Sequence, residues 1–228
     1  MNQNHLALST LWILSTVAIA QSAYLPADLI QLNETQNCIQ CDLSSVRLEN
    51  RSFHDNYFTD AFLTNAFLHQ LQLIRVNFQH ANFTYVQIYN CNAKKSDFKN
   101  AYFEWAKIDS SHFEDGDFSH LTLINSQVNA SYFNDAHITS ALLNHVAFTN
   151  SNLTKVDFRN TSFVDVDLSN SNLSFTDFTN TKFEKVVFDN AILFGSNITD
   201  DQLKTIQSMR CAILPDGSIY DGNGTYTC

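Results

Sequence analysis

Residues 151–175, SNLTKVDFRNTSFVDVDLSNSNLSF, place a large apolar residue at every fifth position: Leu153, Phe158, Phe163, Leu168 and Leu173. The same spacing runs unbroken from residue 43 to residue 198, where 31 of 32 such positions hold Leu, Ile, Val or Phe. Two residues earlier, 28 of the 32 positions hold Ala, Ser, Thr, Cys, Gly or Val. A fixed internal repeat of this kind predicts a solenoid, in which each repeat buries its apolar side chain against its neighbours.

A period of five residues suits neither a helix nor a straight strand. On a helix, every fifth residue steps about 140° around the axis, so the apolar residues would cover all faces. On a straight strand, an odd period places alternate repeats on opposite faces. The pattern is satisfied if the small and large residues point inward from a short extended segment and the next two residues turn a corner. Asn or Asp holds the second corner position in 16 of 32 repeats, and both tolerate left-handed turn geometry.

Pentapeptides such as residues 61–65 (AFLTN), 151–155 (SNLTK) and 171–175 (SNLSF) resemble the pentapeptide-repeat proteins, whose pattern is roughly Ala-Asp/Asn-Leu-x-x. The resemblance covers about two thirds of the chain, and the phase of the repeat never breaks. It implies an all-β fold, a right-handed four-sided β-helix with about 20 residues per coil and about eight coils.

The chain divides into four predicted segments. Residues 1–20 are expected to be a signal peptide, because an uncharged apolar run ends in the small-x-small site Ala18-Ile19-Ala20; an uncleaved anchor is the alternative. Residues 21–40 form an N-terminal cap with a helix over residues 26–36, and residues 41–198 form the repeat domain. Residues 199–228 form a C-terminal cap, in which the capping box of residues 199–202 opens a helix to about Met209 before a short tail.

The five cysteines indicate an oxidising compartment. Cys38 and Cys41 form a Cys-x-x-Cys pair that could bind metal or act in redox chemistry, but the missing second ligand pair disfavours zinc, and a disulfide in the N-terminal cap is predicted. Similar pairs precede the first repeat in many proteins of the family that the chain resembles. Cys211 and Cys228 bracket a tail with turn signals, which predicts a hairpin closed by a disulfide and resembles the ending of many members. Cys91 falls at an inward position and is expected to be a free, buried thiol.

An acidic column is the sharpest candidate interaction site. Read at a spacing of 20, one set of outward positions holds Asp97, Asp117, His137, Asp157 and Asp177. Stacked carboxylates could hold cations or receive a basic partner. The alternative is that these aspartates are ordinary members of the repeat that bond turn amides. Lys99 and Arg159 lie on the same side and would neutralise neighbouring carboxylates.

An apolar group is the second candidate interaction site. Tyr57, Phe62 and Phe67 occupy the outward middle position of three successive repeats, and Tyr102 and Leu142 follow on the side of Phe62. Exposed aromatic residues in a cluster mark interfaces. Burial beneath the N-terminal cap or between corners is the alternative.

The sequence predicts a protein that is not an enzyme and holds no cofactor. It contains no Gly-x-Ser-x-Gly motif and no phosphate-binding loop, and its histidines lack metal-ligand spacing. A net charge of −10 without a basic, aromatic-interleaved patch disfavours nucleic-acid binding. We expect a bacterial scaffold, periplasmic or secreted, that binds another protein or a second copy of itself and has no membrane span once the signal is cleaved.

The alternative function is inhibition of a DNA-binding enzyme such as gyrase by DNA mimicry, which the family resemblance implies for some acidic members. Residues 42–198 carry 17 acidic and 11 basic residues. This charge is several-fold more dilute than that of duplex DNA, which carries one charge per about 1.7 Å. An exported protein would also not meet a cytoplasmic topoisomerase.

Overall fold

The computed structural model describes residues 26–222 and 227–228 and shows a parallel β-solenoid. The predicted signal peptide, residues 1–20, lies outside the described residues, as do residues 21–25 of the predicted N-terminal cap. Within the described part, no helix has the length and apolar character needed to cross a membrane.

The solenoid consists of short strands between two small helices. Most strands span three residues, of which the middle one points inward. The elements are α1 (Pro26–Thr35), β1 (Arg47–Glu49), β2 (Ser52–His54), β3 (Phe67–His69), β4 (Gln72–Ile74), β5 (Gln87–Tyr89), β6 (Tyr102–Glu104), β7 (Lys107–Asp109), β8 (Thr122–Ile124), β9 (Gln127–Asn129), β10 (Leu142–Thr149), β11 (Ser162–Asp167), β12 (Lys182–Glu184) and α2 (Asp200–Leu203).

Every pairing within the solenoid is parallel and joins residues 20 apart. Each coil contributes one extended segment, or rung, to each side. On one side, eight rungs from Arg47 to Val187 are connected by seven such pairings. Successive pentapeptides pair separately, so Tyr57, Phe62, Phe67 and Gln72 lie in four different columns. The predicted β-helix with four repeats per coil is therefore confirmed.

The corners adopt the left-handed backbone conformation that the sequence predicts. From Gln40 to Asn190, 31 non-glycine residues spaced five apart have φ between 48° and 62°, and Gly195 continues the series at 69°. Asn and Asp stabilise such corners through their short polar side chains. Because each corner redirects the chain, a period of five that no straight strand supports becomes compatible with one continuous core.

The core is a close-packed stack of the central side chains. Phe83 lies over Phe103 at a centroid distance of 4.4 Å, and Phe98 over Phe118 at 4.7 Å. Small polar residues also line this interior, and Ser96 is satisfied there: its Oγ donates to the Leu73 carbonyl and accepts from the Val76 N–H. The interior space beside Phe118 is about 10 Å³, which holds at most one water molecule.

The N-terminal cap covers the first coil with polar side chains as well as a helix. Leu32 of α1 is fully buried against the core. The Asp28 carboxylate accepts the N–H of Asp42 at 2.7 Å, and Asn37 Oδ1 accepts the N–H of Tyr57 at 2.8 Å. These side chains replace the coil that would otherwise pair with the exposed strand edge. Cys38 and Cys41 form a disulfide, as predicted.

The C-terminal helix is shorter than the sequence predicts. The capping box forms, with Gln202 N donating to Thr199 Oγ1, but α2 ends at Leu203 instead of about Met209. The chain then extends and pairs with the last coil, at Val187↔Ser208 and Ile192↔Ile213, a step of 21 residues. The backbone N–H and C=O groups of the last coil need hydrogen-bond partners. An extended segment has free backbone groups to pair with them, whereas a helix uses its own internally.

The tail is fixed to the last coil by a buried carboxylate. Asp189, which is 8% exposed, accepts two hydrogen bonds from the Arg210 guanidinium, at 2.8 and 2.6 Å, and one from the Arg210 N–H. Ser208 Oγ also donates to it. An antiparallel pairing, Ile213↔Ile219, closes the predicted hairpin, and the disulfide Cys211–Cys228 joins its ends.

Cys91 is expected to stay reduced and unreactive in the folded protein. Burial raises the pKa of the thiol to about 11, so very little thiolate forms at neutral pH. Under non-reducing conditions, mass spectrometry should find one free thiol that iodoacetamide modifies only after unfolding. Rapid modification of Cys91 in native protein would contradict its inward placement.

Candidate functional site

The acidic column forms as predicted, but its carboxylates already have partners. Asp97, Asp117, His137, Asp157 and Asp177 pair in series along one side of the solenoid. One oxygen of each aspartate accepts the backbone N–H two residues later, at 2.9–3.1 Å. These are the turn hydrogen bonds expected if the aspartates are ordinary members of the repeat.

Two basic residues neutralise the same column. Lys99 Nζ lies 2.8 Å from Asp117 and 3.6 Å from Asp97, while Arg159 lies 2.6 Å from Asp157 and 3.7 Å from Asp177. Partial burial acts to raise the pKa of Asp117, but hydrogen bonds from Lys99 and Ser119 outweigh it and lower the pKa overall. The described residues contain no group of three or more His, Cys, Asp or Glu side chains suited to a metal ion.

The predicted aromatic group is divided over three sides of the solenoid. Tyr57 pairs with Asn77, Phe62 with Asn82 and Phe67 with Gln87, in three different columns. Because each repeat turns the chain through one corner, neighbours in sequence do not share a surface.

The members of this aromatic group also differ in accessibility. Tyr57 and Phe62 are about half exposed. The Arg47 guanidinium lies 4.0 Å from the centre of the Phe67 ring and covers it. Tyr102, two rungs from Phe62, donates its hydroxyl to Glu104 at 2.9 Å. Only Tyr57 and Phe62 therefore offer large apolar contacts, and they do so on adjacent sides.

The structure brings together an aromatic pair that the sequence analysis did not single out. Tyr85 and Trp105 occupy the second corner position of repeats one coil apart, and both are about half exposed. Their rings are nearly parallel, with an interplanar angle of 7° and a centroid distance of 6.5 Å. Reading the corner positions at a spacing of 20, as was done for the outward middle positions, would have found this pair.

Trp105 stands at one end of an open groove of about 400 Å³ that runs along the solenoid. One wall is the part of the corner column that runs from Trp105 through Asn125, His145, Asp165 and Lys185. The floor is the neighbouring side, where Ala147 and Val187 are short and leave space between the longer side chains. The groove combines an aromatic face with amide, imidazole, carboxylate and ammonium groups.

A second polar cluster surrounds Glu114, a carboxylate that is only 8% exposed. His112 Nδ1 lies 2.9 Å and Lys94 Nζ 3.2 Å from the same oxygen, Oε1. The His112 ring is stacked on Tyr132 at 4.6 Å. Burial acts to raise the pKa of Glu114, but the His112 and Lys94 hydrogen bonds and a backbone hydrogen bond outweigh it, so the pKa is lowered. A carboxylate held ionised in this way stabilises the folded state.

We expect Glu114→Gln to weaken the acid sensitivity of folding. Because the folded-state pKa of Glu114 lies below its ordinary value of 4.5, its contribution is fully present above that pH and is lost as the pH falls through the folded pKa. The melting temperature of the variant should therefore fall less than that of the native chain as the pH is lowered below 4.5. Glu184→Gln is the control, and an equal change in both variants would contradict the assignment.

Comparison with known proteins assigns the repeats of this chain to a family. The pentapeptide-repeat family model matches eight copies, over residues 52–86, 63–100, 131–170 and 171–200. The chain is a β-solenoid of the pentapeptide type, and it belongs to the pentapeptide-repeat family. No curated protein sequence matches the chain significantly.

Solved structures of pentapeptide-repeat proteins resemble the chain in fold. HetL, a protein involved in heterocyst differentiation regulation in the cyanobacterium Nostoc, has a TM-score of 0.53 at 16% identity, over 85% of this chain and 98% of HetL. A trypsin-treated form of QnrB1, a plasmid-mediated fluoroquinolone resistance protein, has a TM-score of 0.47 at 15% identity, over 82% of this chain and 90% of its own. Identities this low describe the architecture alone.

Proposed function

We propose that this chain is a non-catalytic, exported scaffold that binds another protein through the outer sides of its solenoid. The observation that supports this most directly is the closed interior. The core beside Phe118 has room for at most one water molecule, so a ligand must bind outside. A stack of short strands joined at fixed corners presents its outward side chains at a constant spacing of about 4.8 Å.

The distribution of charge disfavours the alternative of DNA mimicry. A mimic needs an uninterrupted acidic side, and the most acidic column here is bridged by Lys99 and Arg159. Across residues 42–198, 11 basic residues offset 17 acidic ones. Supercoiling assays with purified gyrase provide the direct test, and potent inhibition by this chain would replace the scaffold proposal.

The two disulfides support the export part of the proposal. Cys38–Cys41 and Cys211–Cys228 both close within the described residues, and such bonds persist in oxidising compartments. In native cells, fractionation should recover a C-terminally tagged chain outside the cytoplasm, with a mass that corresponds to cleavage after Ala20. Recovery of the full-length chain from the cytoplasm with four reduced cysteines at these positions would refute export.

Photocrosslinking can locate the protein partner on the solenoid. A benzophenone amino acid is placed at one aromatic position on each side, at Tyr57, Phe62, Phe67 or Tyr132 in turn. We expect a discrete adduct in native cells from one side, or from two adjacent sides, and none from the others. Uniform weak labelling from all four sides, or no adduct at all, would refute binding through a defined side.

A further inference from the structure

We propose that the groove beside Trp105 binds a neutral oligosaccharide, with the indole face as a platform for one sugar ring. The site is separate from the acidic column and from the exposed residues Tyr57 and Phe62. It depends on the solenoid but not on the proposed protein partner. It therefore adds a binding activity to the scaffold role.

The aromatic platform is a feature that the fold itself does not require. Corner positions are normally polar here, and half of them are Asn or Asp, which stabilise left-handed geometry. Tyr85 and Trp105 adopt the same geometry, at φ of 56° and 54°, although bulky side chains rarely do so. Phe175 has the same geometry at another corner, so Tyr85 and Trp105 are distinguished by lying one coil apart, where they place two nearly parallel rings at the surface.

The rest of the groove supplies hydrogen-bonding groups in a regular series. Asn125, His145, Asp165 and Lys185 follow Trp105 up one corner column, and Gln127 and Gln207 project from the floor and the upper end. Four rung spacings of about 4.8 Å give the column a length of about 19 Å. Amide and carboxylate groups at this spacing can donate to and accept from the hydroxyl groups of successive sugar rings, while Trp105 covers an apolar ring face.

The charge of the groove favours a neutral ligand over an anionic one. The positive charge of Lys185 is offset by the negative charges of Asp165 and Asp167, and no arginine is among the described residues that line the groove. His145 Nε2 lies 3.2 Å from Asp165, so that its charge when protonated is also offset. Phosphate and sulfate sites require clustered positive charge or guanidinium groups, which this groove lacks.

The backbone around the groove disfavours a peptide bound as an added strand. Rungs along the floor pair with the rungs above and below, as Ala147 does with Gln127 and with Asp167. Strand addition needs a free sheet edge, and no edge opens into this groove. A ligand here must be recognised by side chains, as a carbohydrate is.

The test uses the fluorescence of Trp105 in the full chain. Trp12, the other tryptophan, lies in the predicted signal peptide, and Trp12→Phe removes its emission from any chain that keeps that segment, so that the fluorescence reports on the groove. Cellotetraose, chitotetraose and maltotetraose are titrated in turn. We expect at least one to shift the emission with saturation, and Trp105→Ala to weaken its binding, measured by calorimetry, by about tenfold or more.

Two further variants make the result specific. Phe175→Ala removes an aromatic residue of similar exposure from the same repeat position at another corner, and binding should be unchanged. Ala147→Arg fills the floor, and the column tolerates this because it already holds Arg47 and Lys107. We expect Ala147→Arg to abolish binding without lowering the melting temperature.

Three outcomes would overturn the proposal. They are no saturable binding of any of the three sugars, equal weakening by Phe175→Ala and Trp105→Ala, and saturable binding in the groove of a proline-rich peptide instead. None of these outcomes bears on export or on photocrosslinking, so the scaffold proposal is tested separately.

Discussion

Phe118→Ala is expected to lower the free energy of unfolding by about 3–5 kcal/mol, the largest effect of any single substitution considered. Phe118 is 3% exposed and lies between Phe98 and the rings of Phe113 and Phe133. The strand pairings above and below hold the backbone at fixed spacing, so the core cannot collapse into the cavity. Denaturant titration should show a lower midpoint with an unchanged slope.

The control for this prediction lies two residues away. His120→Asn alters an exposed corner residue and keeps a side chain that tolerates left-handed geometry. It should change the free energy of unfolding by less than about 0.5 kcal/mol. Similar losses from Phe118→Ala and His120→Asn would mean that the inward phase of the repeat has been assigned wrongly.

Replacing both Cys211 and Cys228 by serine is expected to destabilise the C-terminal end by about 3 kcal/mol, the entropy of closing a loop of this length. The pair is separated by 17 residues and closes the hairpin over the last coil. Stability in a repeat protein depends mostly on adjacent repeats, so the loss should be local. Hydrogen exchange should increase at Ser208 and Ile213 and stay unchanged at Phe118.

The N-terminal disulfide serves as the matched comparison. Cys38 and Cys41 are only three residues apart, so their disulfide closes a short loop, and its removal should leave exchange at Ser208 and Ile213 unaffected. Increased exchange along the whole solenoid after loss of the C-terminal disulfide would contradict independent ends. It would indicate a single cooperative unit.

The fold could be predicted because one physical requirement repeats at every turn. A large residue such as Phe118 must point inward five residues after the previous one, and only a corner in each repeat permits this. The corner residues, half of them Asn or Asp, are compatible with the φ values near 55° that the structure shows. Local conformational preference and the burial pattern therefore point to the same fold.

The ends of the rod and its surface were harder to predict, for different reasons. Residues 204–209 have helical apolar spacing, but unpaired groups on the last rung draw Gln207 and Ser208 into strand pairing. The acidic column and its neutralising residues Lys99 and Arg159 follow from the spacing of 20 residues, whereas the distances between these side chains depend on conformations that sequence does not specify. Tyr85 and Trp105 were overlooked because the alignment considered the outward middle positions and not the corners.

The four-repeat coil also constrains how such a protein can change length during evolution. A duplication of 20 residues would add one rung and leave every later side chain on its original side, so a groove or a charged column would simply grow longer. A duplication of five residues would keep the inward phase of the apolar positions but move every later residue to the next side. Such an insertion after Trp105 would carry His145 and Lys185 away from the indole, while each later apolar residue would still point inward but against new neighbours, as Phe118 would no longer stack on Phe98. In this architecture, a five-residue insertion can therefore separate the residues of a surface site while the β-helix is retained.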